Sequence, residues 1–425
     1  MINLLVILFT LAGIRSILLT KNGLENSLKF IIFAFVLGYR TFELIPGLKL
    51  HPIELFIYSC IIRIIISNAV KYREMSLAIS LLGIFFIAYF FIDFLTGYHF
   101  MVLLEFKNAF LLILIFFITQ HIHFSKSYFV RLLKYYLMAA SLISILGVIE
   151  YLFPSFMSSI FGFQSRSMNT PESIFFTRLA FLFWGTHLAA NLIAPVFPII
   201  LLLKVEKDSI VKNNYILTFL LMINLIAIYL SGNRISWLIL TILLLIIIFQ
   251  YRNFLVPYMK SYALLVTMIF VAYVYSQPVE GRYISTFKAL TGKIDTRYDS
   301  SGGARMARVQ IAINSIVEKP LGTGWGSQGW VHSDVLQIAA SVGIIPGIIF
   351  LIAPLFLLFR MYRAYLIAPI NDQTAFFVCC GLLIFIIISL YLNGNIMKVQ
   401  SGAPLLVLWA IADGYLTCYK QVDSS

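Results

Sequence analysis

Charge is scarce in this sequence. Only 12% of its 425 residues are Asp, Glu, Lys or Arg, whereas 61% are apolar. A soluble domain carries about 25% charged and about 45–50% apolar residues. No soluble core hides that much apolar surface, so lipid must be the solvent for most of the chain. Acidic residues are scarcer than basic ones, 18 against 31, and the formal net charge is +13. In a soluble protein that excess would point to nucleic acid. Here the basic residues are scattered through short loops, as lipid headgroups and the positive-inside rule require, so no nucleic-acid partner is implied.

Cysteine chemistry is missing too. Cys60, Cys379, Cys380 and Cys418 each sit in an apolar run, with no CxxC among them. They read as small hydrophobes, which leaves no disulfide framework and no metal site. No polar stretch is long enough to build a second domain, so residues 1–425 are expected to form a single polytopic membrane domain. No internal repeat is visible, which disfavours a secondary transporter. The first twenty residues lack a basic leader and a small-residue cleavage site. They read as a retained membrane segment rather than a signal peptide.

What the sequence has is hydrophobic runs. A spanning helix needs about 20 mostly apolar residues. Runs of that kind cover 4–20, 28–45, 52–70, 76–95, 101–119, 128–152, 179–203, 215–230, 235–250, 261–276, 334–359, 374–392 and 403–417. The expectation is an all-α integral membrane protein of about 12–13 transmembrane helices. One alternating set of loops holds Lys71 and Arg73, Lys126 and Lys134, Lys204 and Lys207, Arg252 and Lys260, Arg360 and Arg363. The positive-inside rule puts that set in the cytoplasm. The other set then faces outward, and it includes the two longest loops, 153–178 and 277–333.

The 277–333 loop is too long to be a mere connector. It carries seven Lys or Arg. Within it, Met306, Val309, Ile313, Ile316 and Val317 recur at helical spacing, which predicts an amphipathic helix from Arg305 to Glu318 with its arginines inward. Lys319-Pro320 stops it. A glycine-rich turn follows, with Gly322 and Gly324, and then His332-Ser333-Asp334 opens the next span. Gly324, Gly326 and Gly329 match G-x-G-x-x-G, but a dinucleotide fingerprint needs a βαβ unit, which this chain lacks. The glycines instead allow a tight backbone path.

Several residues admit two readings. Arg234, in Ser231-Gly-Asn-Arg234, is either a snorkelling residue of a hairpin turn or a fork that grips a phosphate. Lys107 lies in the outer half of its span, where an ionisable group must be paired or face a cavity. It is either half of a pair with Asp93 or Glu105, or part of an anionic ligand's site. His121 and His123 read as interfacial residues rather than metal ligands. His332 is either a surface histidine or a general base, since imidazole titrates near neutrality.

Three pieces in order resemble the O-antigen ligase and polymerase superfamily of membrane glycosyltransferases. "SGNRISWLILTILLL" is similar to that family's S-x-S-R-x-x-W/L motif and aligns Arg234 with its arginine. "GGARMARVQIAINSIVEKPLGTGWG" resembles G-R-x-x-x-W-x-x-A followed by P-x-x-G-x-G, which marks Arg305, Pro320, Gly322 and Gly324. "HSDVLQIAASVGIIPG" resembles H-N-x-x-L-x-x-x-x-x-x-G-x-x-G, which marks His332, Leu336, Gly343 and Gly347. A weaker likeness in "FTRLAFLFWGTHLAANLIAPVFP" marks Arg178. Ser333, Val309 and Asn233 depart from the usual Asn, Trp and Ser.

The resemblance implies a C-type glycosyltransferase bundle in a bacterial inner membrane. Its donor would be an undecaprenyl-diphosphate-linked oligosaccharide and its acceptor a glycan. His332 would be the catalytic base. Arg234, Arg305, Arg178 and Lys107 would bind the diphosphate, and Pro320, Gly322 and Gly324 would shape the loop. No cofactor and no metal are implied, because cationic side chains can carry the leaving diphosphate. The expected activity is repeat-unit polymerisation of an O-antigen or exopolysaccharide. The alternatives are a ligase that transfers finished polymer to lipid A-core or protein, and a lipid-linked sugar flippase. A chain-length regulator and a flippase of the same pathway would be partners.

Overall fold

The computed structural model describes residues 2–38, 41–45, 48–67, 76–96, 100–153, 156, 192–231, 240, 300–325, 327, 331, 333–392 and 399–423. The described chain is almost entirely helical. Its helices are α1 (Ile2–Leu19), α2 (Gly23–Ala34), α3 (Pro52–Ser67), α4 (Leu77–Thr96), α5 (Phe100–Gln120), α6 (Lys126–Leu152), α7 (Val196–Val205), α8 (Ser209–Lys212), α9 (Asn214–Ser231), α10 (Ser300–Glu318), α11 (Asp334–Val342), α12 (Ile344–Ile367), α13 (Ile370–Leu392) and α14 (Val399–Asp423). Among the described residues, six helices are long and apolar enough to cross a membrane. The expected span at 261–276, nearly all of that at 235–250, residues 179–191 of that at 179–203, nearly all of 153–178, and 277–299 lie outside the described residues.

Two expected spans are built differently. The 28–45 run does not continue as one helix: α2 ends at Ala34, a short 3-10 turn covers Phe35–Leu37, and Gly38 takes φ 59°. An antiparallel hairpin of Phe42–Ile45 and Leu48–Leu50 follows. A single glycine at positive φ breaks this run, which apolarity alone does not register. The 334–359 run is likewise split at Gly343, whose φ of 109° ends α11 before α12 begins. Pro346 falls in the first turn of α12, where a missing N–H costs nothing.

The chain divides into two compact units, residues 1–136 with 305–425, and residues 137–304. In the first, α1, α2 and α3 pack around Phe9, Phe30 and Phe56, whose rings lie 5.7–5.9 Å apart. Arg63 closes the end of α1 by donating to the carbonyls of Ile17 and Leu18 at 2.7 and 2.9 Å, orphan acceptors that a helix C-terminus leaves. Helix α5 lies against α14, with Phe116 edge-on to Trp409 at 5.4 Å. The best-covered candidate span is in α14, 89% of it buried, and the least covered is in α4, at 22%. So α14 forms the core of this unit and α4 turns most of its surface to lipid. In the second unit, Asn224 of α9 bonds Ser141 and Ser144 of α6 at 2.9 and 2.8 Å, a polar tie of the kind that joins helices in lipid.

Candidate functional site

Helix α10 is present where the sequence predicts a helix and starts five residues earlier, at Ser300. Its covered side is narrow. Ala312 is fully buried against Val331 and Ala340, with Ile316 and Leu336 beside it. Ile313 and Val317 are exposed, and so is Arg308, which the sequence reading had turned inward. The apolar arc is therefore wider than the strip the protein covers. The exposed part suits a helix lying at a membrane surface.

Beyond Glu318 the backbone turns sharply. Gly322 N–H bonds the Lys319 carbonyl at 2.8 Å. Thr323 and Gly324 then donate their amides to Ala340 and Ser341 at the end of α11, each at 2.9 Å. These carbonyls are ones the helix end leaves open. Ile344 N–H closes the other edge on Pro320 O at 2.9 Å. Gly322 and Gly324 both take φ +96°. A Cβ on Gly322 would lie 2.6 Å from the Ser341 carbonyl oxygen, and one on Gly324 2.7 Å from Asp93 Oδ1. Both glycines are therefore required by backbone conformation and by close approach.

The other wall of the turn is α4. Asp93 Oδ2 accepts the Trp325 amide at 2.7 Å, and the Tyr89 hydroxyl donates to the Leu321 carbonyl. The Trp325 ring is edge-on to Phe86 at 5.4 Å. The indole N–H of Trp325 and the amide nitrogen of Gln337 are buried without hydrogen-bond partners.

The turn leads into α11. Ser333, in extended conformation, caps that helix by accepting the Leu336 amide at 3.4 Å. The departure from Asn at this position thus keeps the cap, since Ser serves it equally well. Gln337 Oε1 takes the Val331 amide at 2.7 Å and ties the approach to α11 onto the helix itself.

Of the predicted site residues, Pro320, Gly322, Gly324 and Lys107 are described. His332, Arg234 and Arg178 lie outside the described residues, and Arg305 is described only as a position on α10. Lys107 takes neither expected partner. Its ammonium sits 2.6 Å from Glu54 on α3. Glu54 Oε2 also accepts the His51 amide at 2.6 Å, and His51 Nδ1 accepts the Ile53 amide at 3.2 Å. His51 and Glu54 together form a capping box at the start of α3, with imidazole in place of the usual hydroxyl. The second imidazole nitrogen donates to the Gly38 carbonyl at 2.7 Å. His51 is wholly buried, and burial lowers its pKa from 6.5 to about 4. The Gly38 bond opposes that shift and the Lys107 charge adds to it.

The sequence reading missed Tyr89 and Glu54 and gave Asp93 a different partner, Lys107. Asp93 and Tyr89 had a usable signal: they are four apart on α4, so they share a face. Glu54 had one as well, because a carboxylate in the first turn of an apolar helix needs a partner. His121, by contrast, bonds the Phe117 carbonyl within its own helix at 2.9 Å.

A search of curated proteins finds no match to this chain. The family model described as Wzy_C, O-Antigen ligase, matches residues 217–352, about a third of the chain. That segment contains the motifs of Arg234, Arg305, the Pro320–Gly324 turn and His332 together with the split at Gly343, and over it the chain is similar to the O-antigen ligase family.

Proposed function

We propose that this protein is a polysaccharide repeat-unit polymerase. It transfers a glycan from an undecaprenyl diphosphate donor to a sugar hydroxyl on the outer side of a bacterial inner membrane. The observation that carries this reading is the family match over 217–352, which contains both the arginine motifs and the histidine motif.

In this reading His332 takes the proton of the acceptor hydroxyl. The oxygen attacks the anomeric carbon, the bond to the diphosphate oxygen breaks with its electron pair, and the anomeric centre inverts. Arg234 and Arg305, helped by Arg178, hold the departing diphosphate. Lys107 has a secondary part, because its charge is already met by Glu54. No metal is needed if guanidinium groups stabilise the leaving group. Activity of reconstituted protein should then survive EDTA, and a loss restored by Mg²⁺ would end the cationic-clamp idea. Sidedness follows from the basic loops. A reporter fused near Ser300 should read as outside, and fusions near Lys207 or Ala368 as inside.

The likeness to an O-antigen ligase family favours a second reading, a ligase that transfers finished polymer to lipid A-core or protein. The glycan profile of a deletion strain separates the two. Single repeat units left on the lipid core mean polymerase, and loss of all attached polymer means ligase. In either case His332→Ala should lower kcat by about 10²–10⁴-fold with donor binding little changed. Arg305→Ala should weaken donor binding and slow transfer, with Lys at that position restoring only part.

A further inference from the structure

We propose that Asp93 and Tyr89 of α4 are positioning residues for the transfer reaction, holding the glycine-rich turn in the place where residues 320–334 can work. This rests on the reading above. It goes beyond that reading because α4 lies outside the segment that matches the family.

Helix α4 meets the turn along one face. Phe86, Tyr89 and Asp93 stand at i, i+3 and i+7, which puts them on a common side. Each makes a different kind of contact. Phe86 seats the Trp325 ring, Tyr89 donates to the Leu321 carbonyl, and Asp93 accepts the Trp325 amide at 2.7 Å. Gly324 is what allows the carboxylate so close, since a Cβ there would lie 2.7 Å from its oxygen. From the opposite side, α11 takes the amides of Thr323 and Gly324. The turn is thus gripped between two helices by hydrogen bonds to its backbone, and α11 begins two residues after position 332.

A carboxylate bonded to a backbone amide makes a charge-assisted bond, stronger than a neutral one. It is an unusual expense at the end of a helix that is otherwise turned to lipid. Loop tethering would not require it, because α11 already tethers the turn. What the second grip adds is a fixed position. Misplacing catalytic groups by about 1 Å can cost on the order of 100-fold in rate.

The test uses full-length protein in detergent, normalised to folded material, with a lipid-linked oligosaccharide donor. Asp93→Leu removes the acceptor at similar volume and should lower kcat roughly 100-fold, with KM for the donor changed less than about threefold. Asp93→Asn keeps an oxygen that can accept the Trp325 amide and should recover most of the turnover. Tyr89→Phe, which removes only a hydroxyl, should cost roughly tenfold. Asp93→Leu and Gly324→Ala disturb one contact, so their losses should not add.

Amide exchange at Trp325 gives a readout independent of activity, and it should quicken in Asp93→Leu. Normal kcat in Asp93→Leu overturns the proposal. So does a rise in KM without loss of kcat, or an Asp93→Asn loss equal to that of Asp93→Leu. If Asp93→Leu does not fold, Tyr89→Phe and Asp93→Asn decide in its place. A wild-type protein that transfers no glycan defeats the functional reading instead. In that event a turn still protected at Trp325 assigns the clasp to folding alone and ends the positioning claim as well.

Discussion

The glycine-rich turn and the start of α3 face the same physical problem and solve it in opposite ways. Both must satisfy backbone groups that helix ends leave open. At the turn, the bonds run mostly between neutral backbone groups, with one carboxylate from α4. At α3, an imidazole, a buried carboxylate and an ammonium do the same work within about one helical turn. The first arrangement spreads its stability over many small bonds and leaves its shape to glycine. The second concentrates charge where water is absent, so its parts depend on one another. The first arrangement fixes the turn by several bonds from two helices, none of which depends on a buried charge pair.

The largest expected effect comes from breaking the α3 joint on one side. Lys107→Met leaves Glu54, 2% exposed, without its cation, and Glu54→Leu leaves Lys107 without its anion. Breaking one partner of a buried pair costs about 3–5 kcal/mol. Thermal unfolding in detergent should show a marked drop in Tm for each single variant. The double variant Glu54→Gln with Lys107→Met keeps an acceptor for the His51 amide and removes both charges. It should regain most of the lost stability. If the double variant is as weak as the singles, charge pairing is not what holds this joint.

The turn should respond less, and in a graded way. Gly322→Ala and Gly324→Ala both force a side chain into positive φ, a strain of about 1–3 kcal/mol. Gly322→Ala should be the worse of the two. Its Cβ meets the carbonyl oxygen of Ser341 and the amide nitrogen of Gly343, both backbone, whereas that of Gly324 meets the side chain of Asp93. Chemical denaturation ranks the pair, and the opposite order would mean that Asp93 is held more rigidly than the end of α11.

These two regions also differ in how well the sequence reveals them. The turn was legible: Pro320 and two spaced glycines are local signals, and the chain follows them. Helices at 76–95 and 101–119 were legible for the same reason, because apolar length is read from consecutive residues, and they appear as α4 and α5. The α3 joint was not. Lys107 and Glu54 are far apart in sequence, and only packing decides which carboxylate reaches a given ammonium. The reading paired Lys107 with its nearest acidic neighbours, Asp93 and Glu105. Asp93 instead serves Trp325, more than 200 residues away. The split at Gly343 was missed because Leu, Ile and Val continue on both sides. Composition does not register a single residue at positive φ.

The smallest expected effect is a pH dependence at the α3 joint. Burial holds the imidazole of His51 neutral, with a pKa lowered from 6.5 to about 4. The unfolded chain therefore takes up a proton at higher pH than the folded one. Stability from this group is fully present above pH 6.5, starts to be lost below it, and is gone once pH falls through about 4. Between about pH 7.5 and about pH 5.5 the loss should be about 1 kcal/mol, read as a modest fall in Tm. His51→Asn, which keeps a capping side chain without the titration, should flatten that slope while lowering Tm at neutral pH. The Lys107 charge contributes to holding the pKa down, after burial. Removing both Lys107 and Glu54 charges should then narrow the gap between folded and unfolded pKa values from its lower end, so the loss saturates at a higher pH. An unchanged profile in that double variant would mean that burial alone sets the histidine, with no contribution from the neighbouring ammonium.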